Sequence, residues 1–77
     1  MTWVPPKSSD APLTAWVRDV PNWPAPGVVF RDLTPLWADG SAWARAVRAL
    51  GAPFDGSPPE MVMGIEARGF LVASALA

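Results

Sequence analysis

An acid, a base and a glycine stand together at Glu66-Ala67-Arg68-Gly69, between the apolar runs "MVMGI" and "FLVASALA". If the first run is a strand and the second a helix, these four residues lie at the carboxyl end of one and the amino end of the other. Open α/β sheets take their ligands there, because a helix start presents unpaired N–H groups and the positive end of its dipole to an anion. Gly69 would let the backbone approach a phosphate, and the Arg68 guanidinium suits phosphate oxygens. A plainer reading makes Glu66 and Arg68 solvated loop charges and Gly69 an ordinary turn residue. Four-residue patterns recur by accident, so on spacing alone both readings stand.

The second constellation is "GVVFRDLTP", residues 27–35. It reads as a short strand ending in Arg31-Asp32 and turning into a helix capped by Thr34. Its functional reading is an exposed backbone edge at residues 28–31, where main-chain groups could read a planar base. Its plainer reading is a surface ion pair between Arg31 and Asp32, worth little, with Val29 and Phe30 in the core. Of the five tryptophans, Trp16 and Trp43 fall on apolar helical stripes and read as core, whereas Trp3, Trp23 and Trp37 are open to either role.

These residues must be carried by elements. Residues 1–9, with Pro5-Pro6 and no periodicity, read as a loose tail. Asp10 is placed to cap a helix with Leu13, Trp16, Val17 and Val20 at i, i+3, i+4 and i+7, ended by Pro21. Pro21, Pro24 and Pro26 then hold the chain extended, Pro26-Gly27 turns it, and residues 28–30 have strand composition. Thr34-Pro35 starts a brief helix. After Asp39-Gly40-Ser41 comes another, with Trp43, Ala46, Val47 and Leu50 on one face and Gly51 and Pro53 as its stop. Residues 52–59 form a loop. Residues 61–65 read as a strand buried on both faces, and residues 70–77 as a crossover helix.

A strand buried on both faces needs neighbours, yet the one other strand candidate has three residues, and the final helix lacks the next parallel strand. The fold class is therefore α/β, with residues 10–77 expected to be the N-terminal portion of a larger domain. Seventy-seven residues allow one small, marginal core at most. The chain has no cysteine and no histidine, which closes disulfides and the usual zinc chemistries, and no metal-ligating set is read from it. Six basic residues against seven acidic ones, scattered rather than clustered, argue against a nucleic-acid partner. Neither a secretory leader nor an apolar run of roughly 20 residues is present, so no membrane partner and a cytoplasmic location are expected.

Taken together and in this order, "VRDVPNWPAPGVVFRDLTPLW" and "VMGIEARGFLVASALA" resemble the N-terminal region of the adenine phosphoribosyltransferase family. The family pattern there is approximately I-R-x-x-P-D-F-P-x-P-G-I-x-F-x-D-I-T-P, followed by G-I-[ED]-[AS]-R-G-F. The likeness runs from about Val17 to Ala77, with Trp23 standing where the pattern has Phe. It implies a type I phosphoribosyltransferase domain, with its Rossmann-like parallel sheet, present here in part.

The resemblance also implies a function. Adenine and phosphoribosyl pyrophosphate would be joined to give AMP and pyrophosphate in purine salvage, through an oxocarbenium-like transition state. Main-chain groups of Val29 and Arg31 would read the adenine edge, with Phe30 in the pocket wall. Glu66, Ala67, Arg68 and Gly69 would hold the pyrophosphate, Arg68 being the catalytic charge, and a strained cis peptide is expected between Glu66 and Ala67. Magnesium would arrive bound through phosphoribosyl pyrophosphate, and the complete enzyme would be a homodimer. The family's acidic signature, its Thr-Gly-rich phosphate loop, its hood loop and its distal carboxylate are expected beyond residue 77, so these residues alone are expected to be inactive. Two alternatives remain: another type I enzyme, such as a xanthine-specific one, against which the Pro-x-Pro-Gly-x-x-Phe-x-Asp segment argues, and a non-catalytic ligand- or partner-binding fragment.

Overall fold

The computed structural model of the chain describes residues 3–77. Met1 and Thr2, part of the expected tail, lie outside the described residues. Two compact units make up the chain, Met1–Trp43 and Ala44–Ala77, and each is described on its own.

In the first unit, Trp3 is tied down by its indole N–H, which donates to the Ala15 carbonyl at 3.2 Å. The helix expected from Asp10 to Val20 is replaced by a single 3₁₀ turn, Leu13–Trp16, with Pro12 rather than Asp10 at its N-cap. Val17 is already extended (φ −101°, ψ 122°), and the chain continues as strand β1, Arg18–Pro21. It pairs antiparallel with β2, Val29–Asp32, which ends at Arg31-Asp32 as expected. The helical stripe loses because this pairing satisfies more: the register sets Arg18 opposite Asp32, Asp19 opposite Arg31 and Val20 opposite Phe30. Opposite charges and an aromatic beside a β-branched residue are favourable cross-strand pairs.

Helix α1, Thr34–Ala38, follows at once and packs against the 3₁₀ turn. Leu33 occupies its N-cap position, so Thr34 is the first helical residue and not the cap. Helix α2, Gly40–Gly51, begins two residues earlier than expected, taking in Gly40 and Ser41, with Asp39 Oδ2 accepting from the Ala42 N–H at 2.8 Å. Trp16, Leu36 and Ala42 are the buried apolar residues of this unit. Trp37 and Trp43 meet edge to face, ring centroids 6.4 Å apart.

In the second unit, α2 ends at Gly51 and a 3₁₀ turn, Ala52–Phe54, opens the expected loop. Residues 61–65 form no strand, contrary to expectation. Ile65 is extended (φ −101°, ψ 122°), and along the run Val62 and Gly64 are half-buried while Met61, Met63 and Ile65 are 75%, 81% and 88% exposed. The alternation is that of a strand, but among the described residues none lies beside it to complete the ladder. The sheet that is present is the antiparallel β1–β2 pair, and none of the expected parallel pairings falls among the described residues. Helix α3 is Glu66–Leu76, four residues longer at its start than expected. Gly69, Val72, Ala73 and Leu76, its half-buried residues, recur at i, i+3, i+4 and i+7, the inner face of a helix.

Candidate functional site

The first candidate region is built by the hairpin turn. Asn22 and Gly27 both take positive φ, 55° and 84°, a conformation open to glycine and tolerated by asparagine. The Asn22 side-chain oxygen accepts from the Gly27 N–H at 3.0 Å, and Val28 O accepts from the Trp23 N–H at 3.1 Å. The Trp23–Pro24 peptide within it is cis.

From this turn β2 emerges with Val29 51% exposed, Phe30 half-buried and Arg31 exposed. Val29 is therefore not core. Side chains of a strand alternate between faces, while main-chain N–H and C=O groups of residues two apart leave by the same edge. Val29 and Arg31 accordingly present their backbone groups along one edge of β2. Phe30 points to the other face, where Trp23 meets it edge to face at 4.7 Å between ring centroids. That face carries an open cleft of about 280 Å³ lined by Arg18, Val20, Trp23, Phe30 and Asp32.

Arg31 and Asp32 do not pair with each other, because neighbours on a strand point to opposite faces. Each pairs across the hairpin instead. Arg31 Nη1 donates to Asp19 Oδ1 at 2.6 Å on the exposed face. Arg18 Nη2 donates to Asp32 Oδ2 at 2.5 Å on the cleft face. Asp32 Oδ1 accepts from both the Thr34 N–H (2.9 Å) and the Thr34 hydroxyl (2.8 Å). The Thr34 backbone bond, then the Thr34 hydroxyl and Arg18, hold the Asp32 carboxyl below its ordinary value of 3.8 against the opposing effect of burial.

The second candidate region is the start of α3. Glu66, Ala67, Arg68 and Gly69 form its first turn rather than a loop before it. Ile65 is the N-cap residue and makes no side-chain cap, so the opening N–H groups of the helix are not taken up by it. Glu66 has φ 62°, the left-handed region that costs a residue with a Cβ about 1–3 kcal/mol. The strain expected here is thus in a φ angle, for the Glu66–Ala67 bond is not among the cis peptides. Glu66 also places an acid in the first turn, favourable to the helix dipole. Arg68 is exposed.

Gly69 has a neighbour that the sequence reading passed over. A Cβ on Gly64 would lie 2.2 Å from the Gly69 carbonyl oxygen and 3.0 Å from the Ala73 Cβ. The backbone of the extended segment and that of the helix touch here, which only glycine at position 64 permits. Asp32 and Arg18 were likewise missed as a pair. Their signal was present: "RDVP" and "VFRD", laid antiparallel, set each base opposite an acid. Val29–Arg31 and Glu66–Gly69 lie in different units. Among the described residues no three or more acidic groups cluster to hold a metal ion.

No family model matches the chain. Curated relatives do. An adenine phosphoribosyltransferase of Synechococcus sp. (strain RCC307) is 46% identical over 71 residues, covering 92% of this chain and 40% of that protein. Another, of Rhodopseudomonas palustris (strain BisB5), is 51% identical over 65 residues, 84% of this chain and 36% of that protein. The crystal structure of adenine phosphoribosyltransferase from Rhodothermus marinus matches with a TM-score of 0.77 at 38% identity, over 83% of this chain and 36% of that one. The chain's relatives are adenine phosphoribosyltransferases. It carries a mixed α/β portion of their type I phosphoribosyltransferase fold and spans about 40% of the length of the Synechococcus adenine phosphoribosyltransferase. The adenine phosphoribosyltransferase of Saccharomyces cerevisiae, 28% identical with a TM-score of 0.71, was solved with D-2,5-dideoxy-2,5-imino-altritol 1,6-bisphosphate and adenine.

Proposed function

We propose that these residues belong to an adenine phosphoribosyltransferase, which forms AMP and pyrophosphate from adenine and 5-phosphoribosyl 1-pyrophosphate. The observation that carries this reading is the identity of 46% over 92% of the chain with a relative of that name. The activity is proposed for the complete protein, since the chain spans well under half of its relatives' length.

Val29 and Arg31 act through their main chain. Their N–H and C=O groups, sharing one edge of β2, match the alternating donors and acceptors on a purine edge, and Phe30 contributes to the wall of the base site. The glycosidic bond forms from adenine N9 to ribose C1 as the bond from C1 to the pyrophosphate oxygen breaks, and the N9 proton is released. Positive charge gathers on the ribose and negative charge on the leaving pyrophosphate. The first-turn N–H groups of α3 and the Arg68 guanidinium stabilise that negative charge, a preorganised electrostatic contribution. Gly69 keeps the helix start free of a Cβ.

The described residues supply no metal cage. Magnesium would be carried by the oxygens of phosphoribosyl pyrophosphate and would help to neutralise them. A homodimeric assembly and a cytoplasmic location complete the proposal.

An AMP-formation assay with adenine, phosphoribosyl pyrophosphate and magnesium tests it, using the protein extended through its adjoining reading frame. Activity that falls about 10²-fold or more on Arg68→Ala is the expected result. A folded extended protein inactive with adenine overturns it, and activity with another purine alone would move the reading to a sister enzyme.

A further inference from the structure

Asp32 is a carboxylate only 7% exposed, in a hairpin whose other acid, Asp19, is exposed. Burying a charge is unfavourable unless it is fully partnered. Here the partnering is complete and comes from two directions. Arg18 of β1 reaches one oxygen, and the backbone N–H and hydroxyl of Thr34, at the start of α1, reach the other. The carboxylate therefore joins the far end of β2 both to its partner strand and to the helix that follows.

A two-stranded ribbon is marginal by itself. β2 is four residues long and is held at its two ends, by the Asn22–Gly27 turn at one and by Asp32 at the other. The Arg31–Asp19 pair on the opposite face is exposed on both sides and holds little. A ligand read by main-chain groups requires the strand itself to be fixed within about 0.5 Å.

We propose that Asp32 is a positioning residue for the base site: bridging Arg18 and Thr34, it fixes the strand whose Val29 and Arg31 main-chain groups receive the purine. This rests on the base-edge reading under Proposed function. Asp32 touches no substrate; it acts through the backbone of β2. Arg18 is its partner in that role.

The test is steady-state kinetics on the complete protein and its Asp32→Asn and Arg18→Met variants, with KM measured separately for adenine and phosphoribosyl pyrophosphate. Asparagine keeps an oxygen for Thr34 but cannot accept from Arg18 with a negative charge. The expected result is an adenine KM raised about tenfold, with kcat and the KM for phosphoribosyl pyrophosphate within about twofold. Arg18→Met is expected to move the adenine KM in the same direction and serves as the measurement should Asp32→Asn not fold. A purely structural role lowers active fraction or stability while leaving the adenine KM within twofold, and that outcome overturns the proposal. Equal loss for both substrates overturns it as well. If the wild-type protein neither binds nor converts adenine, the base-edge reading fails, and this inference with it.

Discussion

The backbones of Gly64 and Gly69 meet so closely that a methyl group on Gly64 would sit 2.2 Å from the Gly69 carbonyl oxygen. The contact is asymmetric, since a Cβ on Gly69 would meet Gly64 at 3.4 Å and 3.5 Å. The obstacle for Gly64 is main chain, which cannot swing aside as a side-chain tip would. Gly64→Ala in the complete protein is expected to cost about 1–3 kcal/mol in urea unfolding. Gly69→Ala is expected to be neutral or mildly stabilising, because alanine favours a helix by up to about 1 kcal/mol. If Gly69 serves the anion, that second variant loses pyrophosphate-dependent activity without losing stability.

At the start of α2 the Asp39 carboxylate accepts from the Ala42 N–H, and Ala42 itself is fully buried. Asp39→Ala leaves that donor without its acceptor and is expected to destabilise by about 0.5–2 kcal/mol, read as a lower urea midpoint with an unchanged slope. Ser41, exposed in the first turn of α2, is expected to tolerate alanine.

The pH dependence of Asp32 has a definite sign. Its folded-state carboxyl is held below 3.8 by Thr34 and Arg18, so the unfolded chain binds the proton more readily. Its stabilisation is fully present above the ordinary carboxylate range and is lost as pH falls through and below 3.8. Acid titration of stability for wild type and Asp32→Asn should therefore show curves that run parallel above about pH 5 and converge below about pH 4.

Glu66 keeps a left-handed φ of 62° despite its Cβ. Glu66→Gly is expected to raise stability by up to about 1 kcal/mol by relieving that conformation, offset in part by the lost acid at the helix start. A rise in Tm together with a fall in turnover would mark the strain as part of the site. A fall in Tm would show that the side chain, and not the backbone angle, matters for stability.

Much of the organisation was legible in the sequence, and the misreadings have physical causes. The Trp43, Ala46 and Val47 part of the stripe and the Gly51 stop give α2 nearly as read, because periodicity and stop signals are local, whereas Leu50 at the end of that stripe is 50% exposed. Residues 13–20 were misread because Leu13, Trp16, Val17 and Val20 satisfy a helical period that pairing with residues 29–32 overrides. That competition is decided by contacts across the hairpin turn, which a local window does not see. Residues 61–65 carry a strand's pattern and a strand's alternation of exposure without the neighbour that makes a strand. At the candidate site, Arg68 and Gly69 were singled out by type and spacing. Gly64 was not, since its reason for being glycine is a contact with a residue five positions on.

Met61, Met63 and Ile65 line up on the open side of an extended segment. Exposed apolar side chains on a segment that pairs with no strand among the described residues are adhesive toward other chains. A peptide of these 77 residues, handled alone, is therefore expected to lose solubility as its concentration rises.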